Sequence, residues 1–257
     1  MKTTSLGFIG GGRITKIFLQ ALANKKVEFQ PVVIFDTNAD VLGSLKQQFP
    51  GIVVAQSLEE AAQQSTVLIA LHPPMIMETL GKIAEVVPSD AVVISLAPKI
   101  TIEKIESILK TKNIVRLIPN ATSYINEGYN PVTFSTGFDE NKKPGIMSML
   151  KLLGNTFEVA EPKLEAYALI SAMLPTYFWF QWNELETIGT QLGLSQTECR
   201  ESVYQTLNAS LNTMYRSGMN PAEVMNLIPV KPIGENEAQI RAIYQEKLVG
   251  LWEKIKP

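Results

Sequence analysis

The stretch Gly7-Phe8-Ile9-Gly10-Gly11-Gly12-Arg13-Ile14-Thr15 decides how this chain folds. Leu6 to Gly10 reads as a short buried strand. Beyond the glycines, Ile14, Ile17, Phe18, Ala21 and Leu22 recur at helical spacing, so a helix follows directly and offers an apolar face to a sheet. Gly10 and Gly12 take the first two positions of a G-x-G-x-x-G turn. Without side chains there, the chain can bend sharply and bring backbone N–H groups against a diphosphate at a helix N-terminus. Thr15 holds the third position, where Gly or Ala is usual, and predicts looser packing of helix on strand with the phosphate-facing part kept.

Outward from this turn, apolar runs alternate with helix-period segments. Val32 to Phe35 is the second strand, and Asp36 follows it at the spacing expected of an acid that accepts hydrogen bonds from both hydroxyls of an adenosine ribose. A carboxylate there repels a 2′-phosphate, so the cofactor reads as NAD, with NADP as the alternative. Thr37, beside it, joins the candidate cofactor residues. A plain tight turn for the glycines and a helix cap for Asp36 are the bland alternatives. Ser57 and Glu60 have capping-box spacing and open a short helix before the strand Val67 to Leu71, which Pro73-Pro74 ends. Ala91 to Leu96 and Ile114 to Ile118 are further strands, separated by the helical pattern Ile102, Ile105, Ile108, Leu109, and Val132 to Ser135 is one more candidate. This order predicts an α/β fold, a doubly wound Rossmann-type parallel sheet with helices on both faces.

From about residue 160 the period is helical, which predicts a dinucleotide-binding domain over 1–159 and an all-helical dimerisation and substrate domain over 160–257. Gly193 and Ser195-x-x-Glu198 mark one helix end and the next start, and Asn220-Pro221 marks another start. The uncharged stretch Ala166 to Asn183 approaches membrane-span length, but its Ser171, Pro175, Thr176, Gln181 and Asn183 favour a buried helix, so no membrane partner is expected. Tyr177, Phe178, Trp179, Phe180 and Trp182 surround that helix with aromatics, which calls for cover by other helices and so for a homodimer.

Composition bounds the rest. The 257 residues are 46% hydrophobic with 23 Lys plus Arg against 25 Asp plus Glu, and the formal charge of -2 gives no drive toward nucleic acid. The single Cys199 has no disulfide partner, and the Met1-Lys2 start runs too soon into glycines and Arg13 for a signal peptide; both point to the cytoplasm. One histidine and one cysteine make no ligand cluster, so no metal is expected.

Phe8-Ile9-Gly10-Gly11-Gly12-Arg13-Ile14, Val93-Ile94-Ser95-Leu96-Ala97 and Val115-Arg116-Leu117-Ile118-Pro119-Asn120 resemble, in order and spacing, the successive motifs of the pyrroline-5-carboxylate reductase family. The helical C-terminal part resembles that family's dimerisation domain. The resemblance implies an NAD(P)-dependent oxidoreductase that transfers hydride to a C=N or C=O bond of a small molecule, with interlocked helical domains. It also implies that Ala70, Leu71, His72 and Pro73 lie beside the nicotinamide ribose of a cofactor site whose other members are Gly7, Gly10, Gly11, Gly12, Arg13, Ile14, Asp36, Thr37 and Ala97.

Two substrate motifs of the family are altered. Where the family has Gly-Ser-Gly-Pro-Ala-Tyr, this chain reads Ala172-Met173-Leu174-Pro175-Thr176-Tyr177, which implies a smaller and drier pocket. Where the family offers Ser-Pro-Gly-Gly-Thr-Thr to a substrate carboxylate, it reads Lys231-Pro232-Ile233-Gly234-Glu235-Asn236. Met173, Thr176, Gly234 and Glu235 are thus candidate substrate residues. A Glu235 facing the pocket would repel a carboxylate by roughly 4 kcal/mol at about 4 Å and an effective dielectric near 20, whereas one facing solvent or paired with Lys231 would not.

Three further residues carry candidate chemistry, each with a plainer alternative. His72, the only histidine, is a candidate proton donor or a loop imidazole with no chemical task. Lys99 stands where the family has Gly and either attracts an anionic substrate or is merely solvated. Asn120 is a candidate catalytic and substrate residue, or a turn-former after Pro119. A protonated imine accepts hydride without a protein nucleophile, so positioning would be the main catalytic work. Proline-forming reduction is one open activity, and a dinucleotide-binding homodimer without turnover, its pocket closed by Met173 and Leu174, is the rival class.

Overall fold

Leu6, Phe8, Ile34, Leu68 and Ile94 pack into one apolar cluster, while their strand neighbours Ile9, Val33, Val67, Ile69 and Val93 pack into a second. Side chains that alternate in this way from strands buried on both sides require a sheet covered on two faces, as central parallel strands are. The computed structural model describes residues 5–256; the Met1-Lys2 start and Pro257 lie outside the described residues. The chain divides into two units, one running to Met173 and taking back residues 251–256, the other spanning Leu174–Gly250.

Among the described residues the first unit holds eight strands: β1 Leu6–Ile9, β2 Val32–Phe35, β3 Val53–Val54, β4 Thr66–Ile69, β5 Val92–Ser95, β6 Ile114–Leu117, β7 Gly128–Phe134 and β8 Gly154–Glu158. Their order is β3-β2-β1-β4-β5-β6-β7-β8, parallel throughout except between β6 and β7. Helices α1 Arg13–Asn24, α2 Ala39–Gln48, α3 Leu58–Ala62, α4 Pro73–Ile83, α5 Ile102–Glu106, α6 Lys143–Lys151 and α7 Leu164–Tyr167 join the strands or follow them. The doubly wound fold is therefore present, and the strand order reverses between β1 and β4, where such sheets open a crevice for ligands.

Two strands escaped the sequence reading. β3 is only two residues long, and β8, Gly-Asn-Thr-Phe-Glu, is a polar edge strand with one buried side chain, Thr156. β7 begins at Gly128, earlier than the Val132 read from sequence, because Pro131 weakens the local strand signal. Its carbonyl still accepts from the Ile118 amide at 3.1 Å.

The second unit consists of α8 Leu174–Gln191, α9 Gln196–Arg216, α10 Pro221–Met225 and α11 Glu237–Tyr244; a last helix, α12 Gly250–Ile255, leads back into the first. The punctuation is as expected. Gly193 sits at φ +97° after α8, and capping boxes Ser195/Glu198 and Asn220/Glu223 open α9 and α10. The buried-helix reading of 166–183 needs correction, because the stretch is split between the units and α8 has no buried residue. Trp179 is 48% and Phe180 67% exposed. Within the described part of this unit the only buried side chain is Cys199, against which Gly189 of α8 closes.

Candidate functional site

The glycine turn links β1 to α1 at the β1/β4 crevice. Gly10 has φ +104°, and a Cβ there would meet the Ala70 carbonyl oxygen at 2.4 Å, so only glycine fits. Gly12 is the N-cap of α1 and provides no side-chain cap, and no acidic residue stands in the first turn. The leading amides of a twelve-residue helix are thus open to an anion, an arrangement that stabilises bound negative charge by about 0.3–2 kcal/mol. Arg13 is exposed and Ile14 half-buried on that turn. Gly7 lies apart from this surface: it is buried in β1, and a Cβ would meet the Ala61 carbonyl oxygen at 1.9 Å, so its role is close packing of α3.

Thr15 overturns the expectation of a looser turn. It is fully buried, and its Oγ1 donates to the Gly10 carbonyl at 2.6 Å, closing the turn from inside.

Asp36 is half-buried at the end of β2. Its Oδ2 accepts from the Gly11 amide at 2.7 Å and its Oδ1 from the Asn38 amide at 2.8 Å. Each oxygen keeps a lone pair for a ligand hydroxyl. The helix cap of α2 is Asn38, not Asp36, and Thr37 between them is exposed. A cavity of about 500 Å³ runs from Asp36 and Thr37 past Gly10 and Gly12 to Ala70, Leu71 and His72. Glu59 and Lys82 also line it. The backbone at Glu59 and then the Ser57 hydroxyl hydrogen-bond to the Glu59 carboxyl and hold it below its ordinary range, so it stays charged. Lys82 is tied to Glu78 at 2.6 Å. Asp36 and Glu59 thus bring two acids to the lining of this cavity, with Lys82 as a cation on the same lining.

His72 is exposed at the N-cap of α4 with Pro73, half-buried, as the first helical residue. Ala97 is buried after β5, and Lys99 is exposed with φ +73°, a left-handed conformation rare for a residue with a side chain. Asn120 is buried, and its amide is spent within the fold. Oδ1 accepts from the Thr122 amide at 3.0 Å and hydroxyl at 2.8 Å, while Nδ2 donates to the Ser171 carbonyl and hydroxyl at 3.2 and 3.3 Å. The turn-forming alternative describes this geometry. Met173 ends the first unit, whereas Thr176 and the turn Gly234–Asn236, with Glu235 exposed, belong to the second.

One group went unread in the sequence. Arg116, in the middle of β6, is fully buried; Nη1 pairs with Glu161 at 2.9 Å and Nη2 with fully buried Glu165 at 2.5 Å. The signal was an arginine inside an apolar strand, which must have a partner.

Residues 5–99 match a family described as NADP oxidoreductase, coenzyme F420-dependent. The chain is 23% identical to pyrroline-5-carboxylate reductase of Corynebacterium melassecola over 96% of its length and 93% of that protein's. It is also 23% identical to that of Escherichia coli, over 94% and 90%. Its fold is shared with Plasmodium falciparum pyrroline carboxylate reductase with NADP bound, at TM-score 0.78 and 19% identity over 99% of this chain and 96% of that one. The same fold occurs in a pyrroline-5-carboxylate reductase from Coxiella burnetii, at TM-score 0.70 and 23% identity over 99% and 95%. The resemblance carried by three short motifs therefore extends along nearly the whole chain.

Proposed function

We propose that this chain, similar along almost its full length to pyrroline-5-carboxylate reductases, is an NAD(P)-dependent oxidoreductase that reduces a C=N or C=O bond of a small molecule. The observation that carries the reading is the uncapped α1 turn joined to the β2 acid at the crevice where the strand order reverses. The amides at Gly12 to Ile14 would receive the diphosphate, while the Gly11 amide stays with Asp36, the acid placed for the adenosine ribose. A carboxylate at Asp36 would repel a 2′-phosphate, which favours NAD over NADP.

A bound reduced nicotinamide supplies the hydride. His72, at the far end of the same cavity, would deliver a proton from an imidazole nitrogen to the nitrogen or oxygen of the reduced bond. Asn120 would act by holding the turn after β6. For Met173, Thr176, Gly234 and Glu235, a part in choosing the substrate rests on the resemblance alone. Proline-forming reduction is the first activity to test.

A homodimer through the C-terminal helices belongs to the same proposal. A helical unit with Cys199 as its one buried side chain cannot offset its ordering entropy alone, and exposed Leu192, Leu211, Ile228 and Val230 supply apolar surface for a second copy. The lone buried Cys199 fits a reducing, cytoplasmic setting.

The test is to titrate NADH and NADPH by calorimetry, then add pyrroline-5-carboxylate and follow cofactor oxidation. Tighter NADH binding with turnover is the expected result. Binding with no turnover of any cyclic imine or small carbonyl compound would leave a non-catalytic binding protein, and no binding of either nucleotide would end the reading altogether.

A further inference from the structure

Arg116 is held by more charge than it can neutralise. Two carboxylates face one guanidinium, and Arg116 Nε and Glu165 Oε2 are buried without a hydrogen-bond partner among the described residues. An incompletely paired buried cluster is a poor stabiliser compared with apolar side chains of the same volume. What the cluster does is aim backbone. Glu165 Oε1 accepts from the Lys99 amide at 3.0 Å, Glu161 Oε1 accepts from the Ile102 amide at 2.8 Å where α5 starts, and Arg116 Nη2 reaches the Ala97 carbonyl at 3.5 Å. All three contacts fall on the turn that leaves β5, and within it Lys99 is kept at φ +73°. Strained conformations of this kind persist where the surroundings over-determine them. β5 neighbours β4 in the sheet, so this turn lies at the carboxyl edge next to the Ala70–His72 segment.

We propose that Glu165 and Arg116 are positioning residues of the reductase, holding the Ala97–Lys99 turn as the wall against which the nicotinamide half of the cofactor is oriented. The proposal rests on the dinucleotide-binding reading. It assigns a task to side chains that touch neither cofactor nor substrate, and it explains why a charged strand residue and a left-handed lysine occur together.

The test uses the full chain with Glu165→Gln, which keeps an acceptor for the Lys99 amide but removes the charge opposite Arg116, and Lys99→Gly, which takes a positive φ without strain. Hydrogen exchange at residues 99–102 should speed up about tenfold or more in Glu165→Gln as the turn opens locally. NADH affinity should stay within about threefold, since the glycine turn and Asp36 are untouched. With a substrate that turns over, kcat should fall about tenfold or more with KM little changed, because misorientation acts on the chemical step. If no substrate is known, the emission of bound NADH reports the nicotinamide setting and should change. Glu165→Gln/Lys99→Gly should match Lys99→Gly alone, a rescue that a purely structural role would not produce.

A Glu165→Gln protein with native exchange, emission and kcat would overturn the proposal, as would additive defects in the double variant. Should Glu165→Gln fail to fold, Glu161→Gln, at the partly exposed rim of the cluster, probes the same turn through the Ile102 amide and must show the same pattern. Failure of the wild-type chain to bind either nucleotide would instead strike the underlying reading, and this proposal with it.

Discussion

Asp36 Oδ2 lies 2.7 Å from the amide nitrogen of Gly11, so the acid at the end of β2 and the glycine turn after β1 form one hydrogen-bonded unit. The residue read as the ribose ligand also shapes the turn read as the diphosphate ligand. Substitution there should therefore be felt at both ends of the nucleotide.

Asp36→Ala removes charge-assisted hydrogen bonds worth about 1.5–3 kcal/mol, so NADH affinity should fall roughly 10- to 100-fold. NADPH affinity should change less or improve. Calorimetric titration of both nucleotides checks this; an equal loss for the two would mean that the acid shapes the turn without choosing the cofactor.

Thr15→Val keeps the volume but strips the Gly10 carbonyl of its buried hydroxyl donor, at a cost of about 1–3 kcal/mol. At about 2–4 °C per kcal/mol for a chain of this size, the melting temperature should drop by several degrees. A drop in melting temperature together with weaker nucleotide binding would show that this hydroxyl holds the diphosphate turn. Unchanged melting would contradict its role as a closure.

His72→Gln should lower kcat by roughly 10²- to 10⁴-fold if the imidazole is the proton donor, with nucleotide affinity nearly unchanged. Steady-state kinetics with whichever imine or carbonyl compound turns over makes the measurement. A kcat equal to wild type would return His72 to the status of an exposed loop residue.

Leu192 is 79% and Ile228 68% exposed on the helical unit. Sedimentation should give the wild-type chain twice the 28.4 kDa of one copy, and Leu192→Glu with Ile228→Glu should shift it toward the monomer. A wild-type protein that sediments as one copy at micromolar concentration would remove the homodimer from the proposal.

Glu198 is held below its ordinary range first by the Ser195 hydroxyl and then by the Ser195 amide. Since the folded value is the lower one, the contribution of this cap is present above the unfolded carboxylate's pKa of about 4.3 and is lost as pH falls through the folded value. Thermal melts of wild type and Glu198→Gln should therefore converge on acidification, and a gap that is constant with pH would be inconsistent with the cap.

The first half of the architecture was legible because it is written in short-range chemistry. Gly10 and Gly12 before a 3.6-period helix, aliphatic runs at β1, β2, β4, β5 and β6, and the caps Ser195 and Asn220 all show themselves within a few residues. Thr15 was misread because its hydroxyl turns back onto a carbonyl five residues earlier, which its bulk alone does not reveal. The burial of the aromatic helix near Trp179 is not legible in the sequence, because a periodic pattern states how much apolar surface exists and not which chain covers it.

Sequence alone thus determined the doubly wound sheet, the glycine turn after its first strand and the acid beside that turn, since periodicity and glycine stereochemistry act locally. Only the tertiary structure decided that Asp36 braces Gly11, that Asn120 is spent on Thr122 and Ser171, and that Arg116 meets Glu165 across 49 positions to hold the Lys99 amide. Such pairings depend on where separate strands and helices come to rest, and a buried charge takes its meaning from the partner it finds there.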